Sequence, residues 1–174
     1  MNSTEVIEAL RQKINVPSGR HLYGVLGDYS MLKVFENALI QAKTLDGIAF
    51  PKPLSVNRGI LESIPDDEFK KLAESEARYP EPTKAHIGRA FETFLRASIG
   101  ESSIVVLTDL EMLFAYSIEM SLLRTLATDE KKLLLLLPSM RTGSRIVMFH
   151  EMEEGDYTLP KNLIADNHLW DLSD

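Results

Sequence analysis

Cysteine is absent, which removes disulfides, thiol catalysis and cysteine-based zinc sites from consideration. Long apolar runs are absent too: the longest, Leu133 to Leu137, is five residues behind Lys131-Lys132, far short of the ~18 that a membrane span needs. The start, Met1-Asn2-Ser3-Thr4-Glu5, has neither the basic opening nor the apolar core of a signal peptide, so a cytoplasmic location is expected. Basic residues are in deficit, 19 Lys and Arg against 26 Asp and Glu, whereas a nucleic-acid binder normally carries a basic face. Tryptophan occurs once, and Tyr29, Tyr79 and Tyr116 form no spaced platform for single-stranded nucleic acid. A Gly-x-Ser-x-Gly elbow is missing, and Ser55 and Ser139 have no recognisable base nearby.

What is there is an ordinary globular composition of 174 residues, 44% hydrophobic and 26% charged, enough for one domain that buries about 70% of its unfolded surface. The net charge of −7 is unevenly placed. Glu151, Glu153, Glu154, Asp156, Asp166, Asp171 and Asp174 stand against Lys161 alone after residue 149, leaving the preceding part at −1. Two segments follow: a body over 1–149 and an acidic C-terminal extension over 150–174.

In the body, Ile104-Val105-Val106-Leu107 followed by Thr108-Asp109 has no polar alternation, as expected of a parallel strand covered by helices on both faces. Asp109 then stops the strand and caps the next helix, or it and Glu111 face a ligand beyond the strand's carboxyl end. Around this strand the pattern predicts a helix over 3–14 capped by Ser3 or Thr4, a strand over 21–27, and a helix with Met31, Phe35, Ala38, Leu39 and Ala42 on one face. It predicts a strand over 47–50 ended by Pro51 and Pro53, and leaves 54–61 unassigned. Helices are expected from Asp66 to about Arg78 and from Thr83 to Gly100, with Pro80 and Pro82 as breakers, and another capped by Ser117. A buried strand over 131–137 closed by Pro138 leads through Arg141-Thr142-Gly143-Ser144 to a last strand over 145–149, paired antiparallel at an edge. The sum is an α/β three-layer sandwich with a mainly parallel sheet.

A phosphate loop needs glycines to wrap the phosphates, a lysine for the outer oxygens and a Ser or Thr for magnesium. The equivalent turn is Gly24-Val25-Leu26-Gly27-Asp28-Tyr29-Ser30. With Ser30 at the magnesium position, Tyr29 stands where the lysine belongs and Asp28 where the last glycine belongs. Asp28 would set a negative charge against a polyphosphate. The loop therefore lacks the parts for nucleotide chemistry, and Gly24, Gly27, Asp28, Tyr29 and Ser30 form at most a degenerate nucleotide site.

The strand with Asp109 and Glu111 looks like the Walker B segment of P-loop NTPases. With the strand and helix from Leu22 to Ala42, and Leu134 to Pro138 followed by Arg141-Thr142-Gly143, it resembles a small P-loop or AAA+-type core, in particular the BrxF type of the BREX phage-exclusion systems. The resemblance implies an accessory subunit of a multi-protein bacterial defence system, with protein subunits as partners. No nucleic acid or membrane partner is expected. Neither is a cofactor, ATP and magnesium entering only if Asp109 and Glu111 serve an NTPase with a non-standard loop. A regulator of a DNA-acting complex is the remaining alternative.

His21, His86, His150 and His168 are far apart, and His150-Glu151 reads as a solvated rim, so no metal is expected. In the extension, Leu163, Ile164, Leu169 and Trp170 either fold back over the sheet or anchor a partner, where Trp is often the hot spot.

Overall fold

The computed structural model describes residues 1–153 and 156–173; of the acids assigned to the extension, Glu154 and Asp174 lie outside them. Helix α1 (Ser3–Ile14) turns Val6, Ile7, Leu10 and Ile14 inward at helical spacing. Its cap is Asn2, not Ser3 or Thr4: the Asn2 side chain accepts from Glu5 N–H, and the Glu5 carboxylate accepts from Asn2 N–H in return. Strand β1 (Leu22–Gly27) is buried throughout and leads into α2 (Tyr29–Gln41), which buries Leu32, Phe35 and Leu39.

The segment expected to be a strand at 47–50 is a loop folded on itself. Thr44 N–H donates to Ile48 O, Ile48 N–H to the Thr44 hydroxyl, and Gly47 takes φ 82. Local bonds thus use up the donors that a sheet would need. The edge strand is instead β2 (Leu54–Ser55), followed by α3 (Val56–Glu62), whose first turn is capped by the Ser55 hydroxyl. After α4 (Asp66–Ser75), α5 (Pro80–Glu101) begins ahead of the expected start at Thr83, at the proline expected to end the preceding helix. Proline is well placed in a first turn, where its missing N–H has no partner to lose. Thr83 is buried inside that turn instead of capping it.

The central strand β3 (Ile104–Thr108) is followed by two short helices, α6 (Glu111–Ala115) and α7 (Ser121–Leu126). Ser117 caps neither; it takes φ 51 in the link between them. Strand β4 (Lys132–Thr142) runs through Pro138 instead of stopping there. It pairs with β1 as far as Gly27 opposite Pro138, then with β5 (Arg145–Met148) from Ser139 onward. The two-residue hairpin turn starts with Gly143 at φ 61, which glycine adopts without strain. The chain ends in β6 (Tyr157–Thr158) and β7 (Leu169–Asp171).

The strand order is β2-β3-β4-β1-β7 with all these neighbours parallel, while β5 and β6 extend β4 as an antiparallel ribbon. Period-2 alternation splits the core in two. Leu22, Leu26, Val105, Leu107, Leu133, Leu135 and Leu137 face α3, α5, α6 and α7, whereas Tyr23, Val25, Val106, Leu134 and Leu136 face α1 and α2. This is an α/β fold with helices on both faces of a mostly parallel sheet. Among the described residues no helix is long and apolar enough to cross a membrane.

The extension is part of this fold. Leu163, Ile164, Leu169 and Trp170 are all buried, and β7 pairs in parallel with β1, Trp170 opposite Val25. Of the two readings of these side chains, the structure takes the fold-back. The partner-anchor expectation is corrected, because all four are packed inside the chain's own two cores.

Candidate functional site

In a parallel sheet the carboxyl ends of the strands are the side left open by the connections. Here β1, β2, β3 and β4 bring the Asp28-Tyr29 turn, Ser55, Asp109 and Pro138 to that side, around a cavity of about 530 Å³. The turn after β5 reaches the same place. Phe149 holds a left-handed φ of 54, uncommon for a bulky residue. It is fixed there by edge-on packing against Phe114 at 5.2 Å and Tyr157 at 6.2 Å, and by its N–H donating to Pro138 O. That turn delivers His150, Glu151 and Met152 to the start of α2.

The contacts there are specific. Glu151 Oε2 accepts from Tyr29 N–H at 2.8 Å, the first amide of α2. This amide is one of the orphan donors at the positive end of the helix, the group an anion would otherwise take. The Tyr29 hydroxyl donates to Glu111 Oε1 at 2.9 Å and also contacts Met152 Sδ at 3.5 Å. Burial, then the Glu111 hydrogen bond, then the charges of Glu111, Glu151 and Asp109 push the Tyr29 phenol well above its usual range. It therefore stays a donor at any physiological pH. His150 Nε2 sits 3.0 Å from Asp28 Oδ1, and Asp28 makes no side-chain cap bond to α2. His150 Nδ1 is buried without a hydrogen-bond partner among the described residues.

Glu111 is tied on its other oxygen as well, where Asn57 Nδ2 donates to Oε2 at 2.9 Å. Asn57 Oδ1 accepts from Met112 N–H at 3.0 Å, so the cap of α6 comes from α3. Asp109 is not that cap. It takes φ 53, a left-handed conformation that Asp tolerates better than most residues, and its carbonyl accepts from Asn57 N–H. Its carboxylate, half-buried, has no hydrogen bond among the described residues and lines the cavity.

The glycines expected in a phosphate loop do other work. Gly24 lies inside β1, and a Cβ there would stand 2.8 Å from Leu169 Cδ2 and 3.0 Å from Ile164 Cδ1. Gly27, the last residue of β1, would meet Leu172 at 3.3 Å. Both accommodate the returning extension, not a phosphate. Ser30 is exposed in the first turn of α2, and Lys33 is paired with Glu36 at 3.2 Å. Of the expected site residues, then, Asp28, Tyr29 and Glu111 are drawn into one network with Glu151, Asp109 lines the cavity beside it, and Gly24 and Gly27 face the extension. Asn57, His150, Glu151 and Met152 are added by the fold.

No family model, curated protein or solved structure matches this chain.

Proposed function

We propose that the protein is a non-catalytic interaction subunit built on an NTPase-like α/β scaffold, serving a bacterial anti-phage defence complex of the kind its sequence resembles. One observation carries the non-catalytic part: the chain's own Glu151 carboxylate sits on the first amide of α2, where an anionic ligand would bind. A nucleotide phosphate would have to displace that carboxylate and then meet Asp28 and Glu111 with no lysine in the loop. Glu111, the residue that would manage the attacking water in an NTPase, is engaged on both oxygens by Tyr29 and Asn57. The partners are other protein subunits, and their contact lies elsewhere than Leu163, Ile164, Leu169 and Trp170, which are internal.

A second reading, an NTPase with a non-standard loop, is favoured by the cavity beside this network, whose lining includes Asp109 and Thr108 at the end of β3 together with Lys33 and Arg58. The two readings part on Asp109→Asn. Asn tolerates the left-handed conformation as well as Asp does, so stability should move by less than about 0.5 kcal/mol. A non-catalytic subunit carrying this substitution should protect cells against phage as the unchanged protein does, in the complete defence system. Lost protection with an unchanged melting curve would give the acid a chemical role and favour the enzyme.

A further inference from the structure

We propose that Asp28, His150 and Glu151 form a binding site for a divalent transition-metal ion of the zinc class, which clasps the turn after β5 to the start of α2. One ligand atom from each lies within 4.8 Å of the other two. Two ligands on one zinc ion, with bonds of about 2.1 Å, stand roughly 3.4 Å apart. The His150 Nε2 to Asp28 Oδ1 separation of 3.0 Å is already of that size.

Each ligand is available for the task. Asp28 occupies the cap position of α2 yet makes no cap bond, its carboxylate being turned to His150 instead. Glu151 is anchored through Oε2 by Tyr29 N–H, a backbone donor of the kind that orients a ligating carboxylate. Its other oxygen has no hydrogen bond among the described residues. His150 is set by the left-handed Phe149 before it, itself locked by Phe114 and Tyr157. The frame is thus fixed by packed groups on both sides of the gap.

The donor set selects the ion. One imidazole and two carboxylates supply three ligands, with water completing the shell, and the two negative charges balance a dication. Calcium and magnesium take oxygen donors only and gain little from the imidazole. Ions that demand thiolates have nothing to bind in a chain without cysteine. A metal ion takes imidazole in its neutral form and carboxylate in its ionised form, so it competes with protons and binding weakens as pH falls. The site uses neither Asp109 nor Glu111, the acids of the NTPase reading, but shares Asp28 and Glu151 with the contacts that occupy the start of α2.

Calorimetric titration of the full chain with Zn²⁺, repeated with Co²⁺ and followed by its visible absorption, tests the site. One ion per chain is expected, with a melting temperature that rises on Zn²⁺ addition. His150→Ala should weaken binding by about tenfold or more and abolish the thermal shift. Asp28→Asn should weaken binding to a similar degree while keeping α2 intact, because Asp28 makes no cap bond that the change could remove, so it gives the answer even if His150→Ala folds poorly. His86→Ala, at a surface histidine 3.7 Å from Glu68, should change nothing. Zn²⁺ affinity equal in Asp28→Asn and the unchanged protein, or lost equally in His86→Ala, would mean adventitious surface binding and overturn the proposal. So would the absence of any binding at micromolar Zn²⁺.

Discussion

The two ends of β1 are both met by the extension, but with opposite chemistry. At the amino end the contacts are aromatic and closed: Tyr23 stacks on Trp170 at 5.9 Å and lies tilted against His168 at 4.7 Å, and its hydroxyl pairs with His21 Nδ1 at 2.6 Å. At the carboxyl end, beyond the contact of Gly27 with Leu172, they are polar and reach the surface: Asp28 with His150 and Tyr29 with Glu151. Buried rings contribute area and exclude water, whereas half-exposed carboxylate bonds exchange readily with solvent. The same returning segment thus fixes the fold at one end and fills the ligand edge at the other. Apolar packing and polar contacts are separated along a single strand.

The largest test of that separation is Trp170→Ala, which removes the ring stacked on Tyr23 from a buried position. A loss of about 3–5 kcal/mol in unfolding free energy is expected by denaturant titration. A loss below about 1 kcal/mol would put the extension outside the cooperative fold.

Acidification probes the same end more gently. Burial lowers the His21 imidazole, helped by the nearby Lys132 charge and His168 and opposed by Asp129 and a Val16 backbone bond, and burial lowers His168 too. Both therefore protonate less readily folded than unfolded. The unfolded chain binds more protons once pH drops below about 6.5, so their contribution is complete above that value and is lost progressively as pH falls toward the depressed folded values. Unfolding free energy should be lower at pH 5.5 than at pH 7.5, and a flat profile would contradict neutral imidazoles at the amino end.

The smallest effect belongs to the carboxyl end. Tyr29→Phe deletes the hydroxyl bond to Glu111 while leaving the Tyr29 amide and the Asn57 bond in place. A change of about 1 kcal/mol or less is expected, and a cost approaching that of Trp170→Ala would erase the contrast between the two ends.

Much of this was legible in the sequence wherever periodicity and burial agree. The stretches 104–107 and 133–137 are buried strands, and the hairpin with Gly143 pairs antiparallel, because unbroken aliphatic runs and a glycine turn leave few alternatives. Residues 47–50 misled because Thr44 and Gly47 satisfy that backbone locally, the start of α5 was expected at Thr83 because a first turn tolerates the missing donor of Pro80, and Pro138 misled because a change of strand partner tolerates it too. The candidate site was half visible. Asp28, Tyr29 and Glu111 stood out by type, but Asn57 lay in the unassigned stretch 54–61, where Ser55 as a helix cap was the available signal. Glu151 is 122 positions from Tyr29, and nothing local marks the two as neighbours. Fold-back of the extension needed a docking strand with room beside it, and that room is Gly24, which is otherwise easily read as part of a phosphate loop.

At the ligand edge, the start of α2 is occupied by the chain's own Glu151 carboxylate. Calorimetric titration of the unchanged protein with ATP and with GTP, each in the presence of magnesium, addresses it most directly. No measurable heat of binding is expected at physiological ionic strength. A dissociation constant in the low micromolar range for either nucleotide, about −8 kcal/mol of binding free energy, would contradict it.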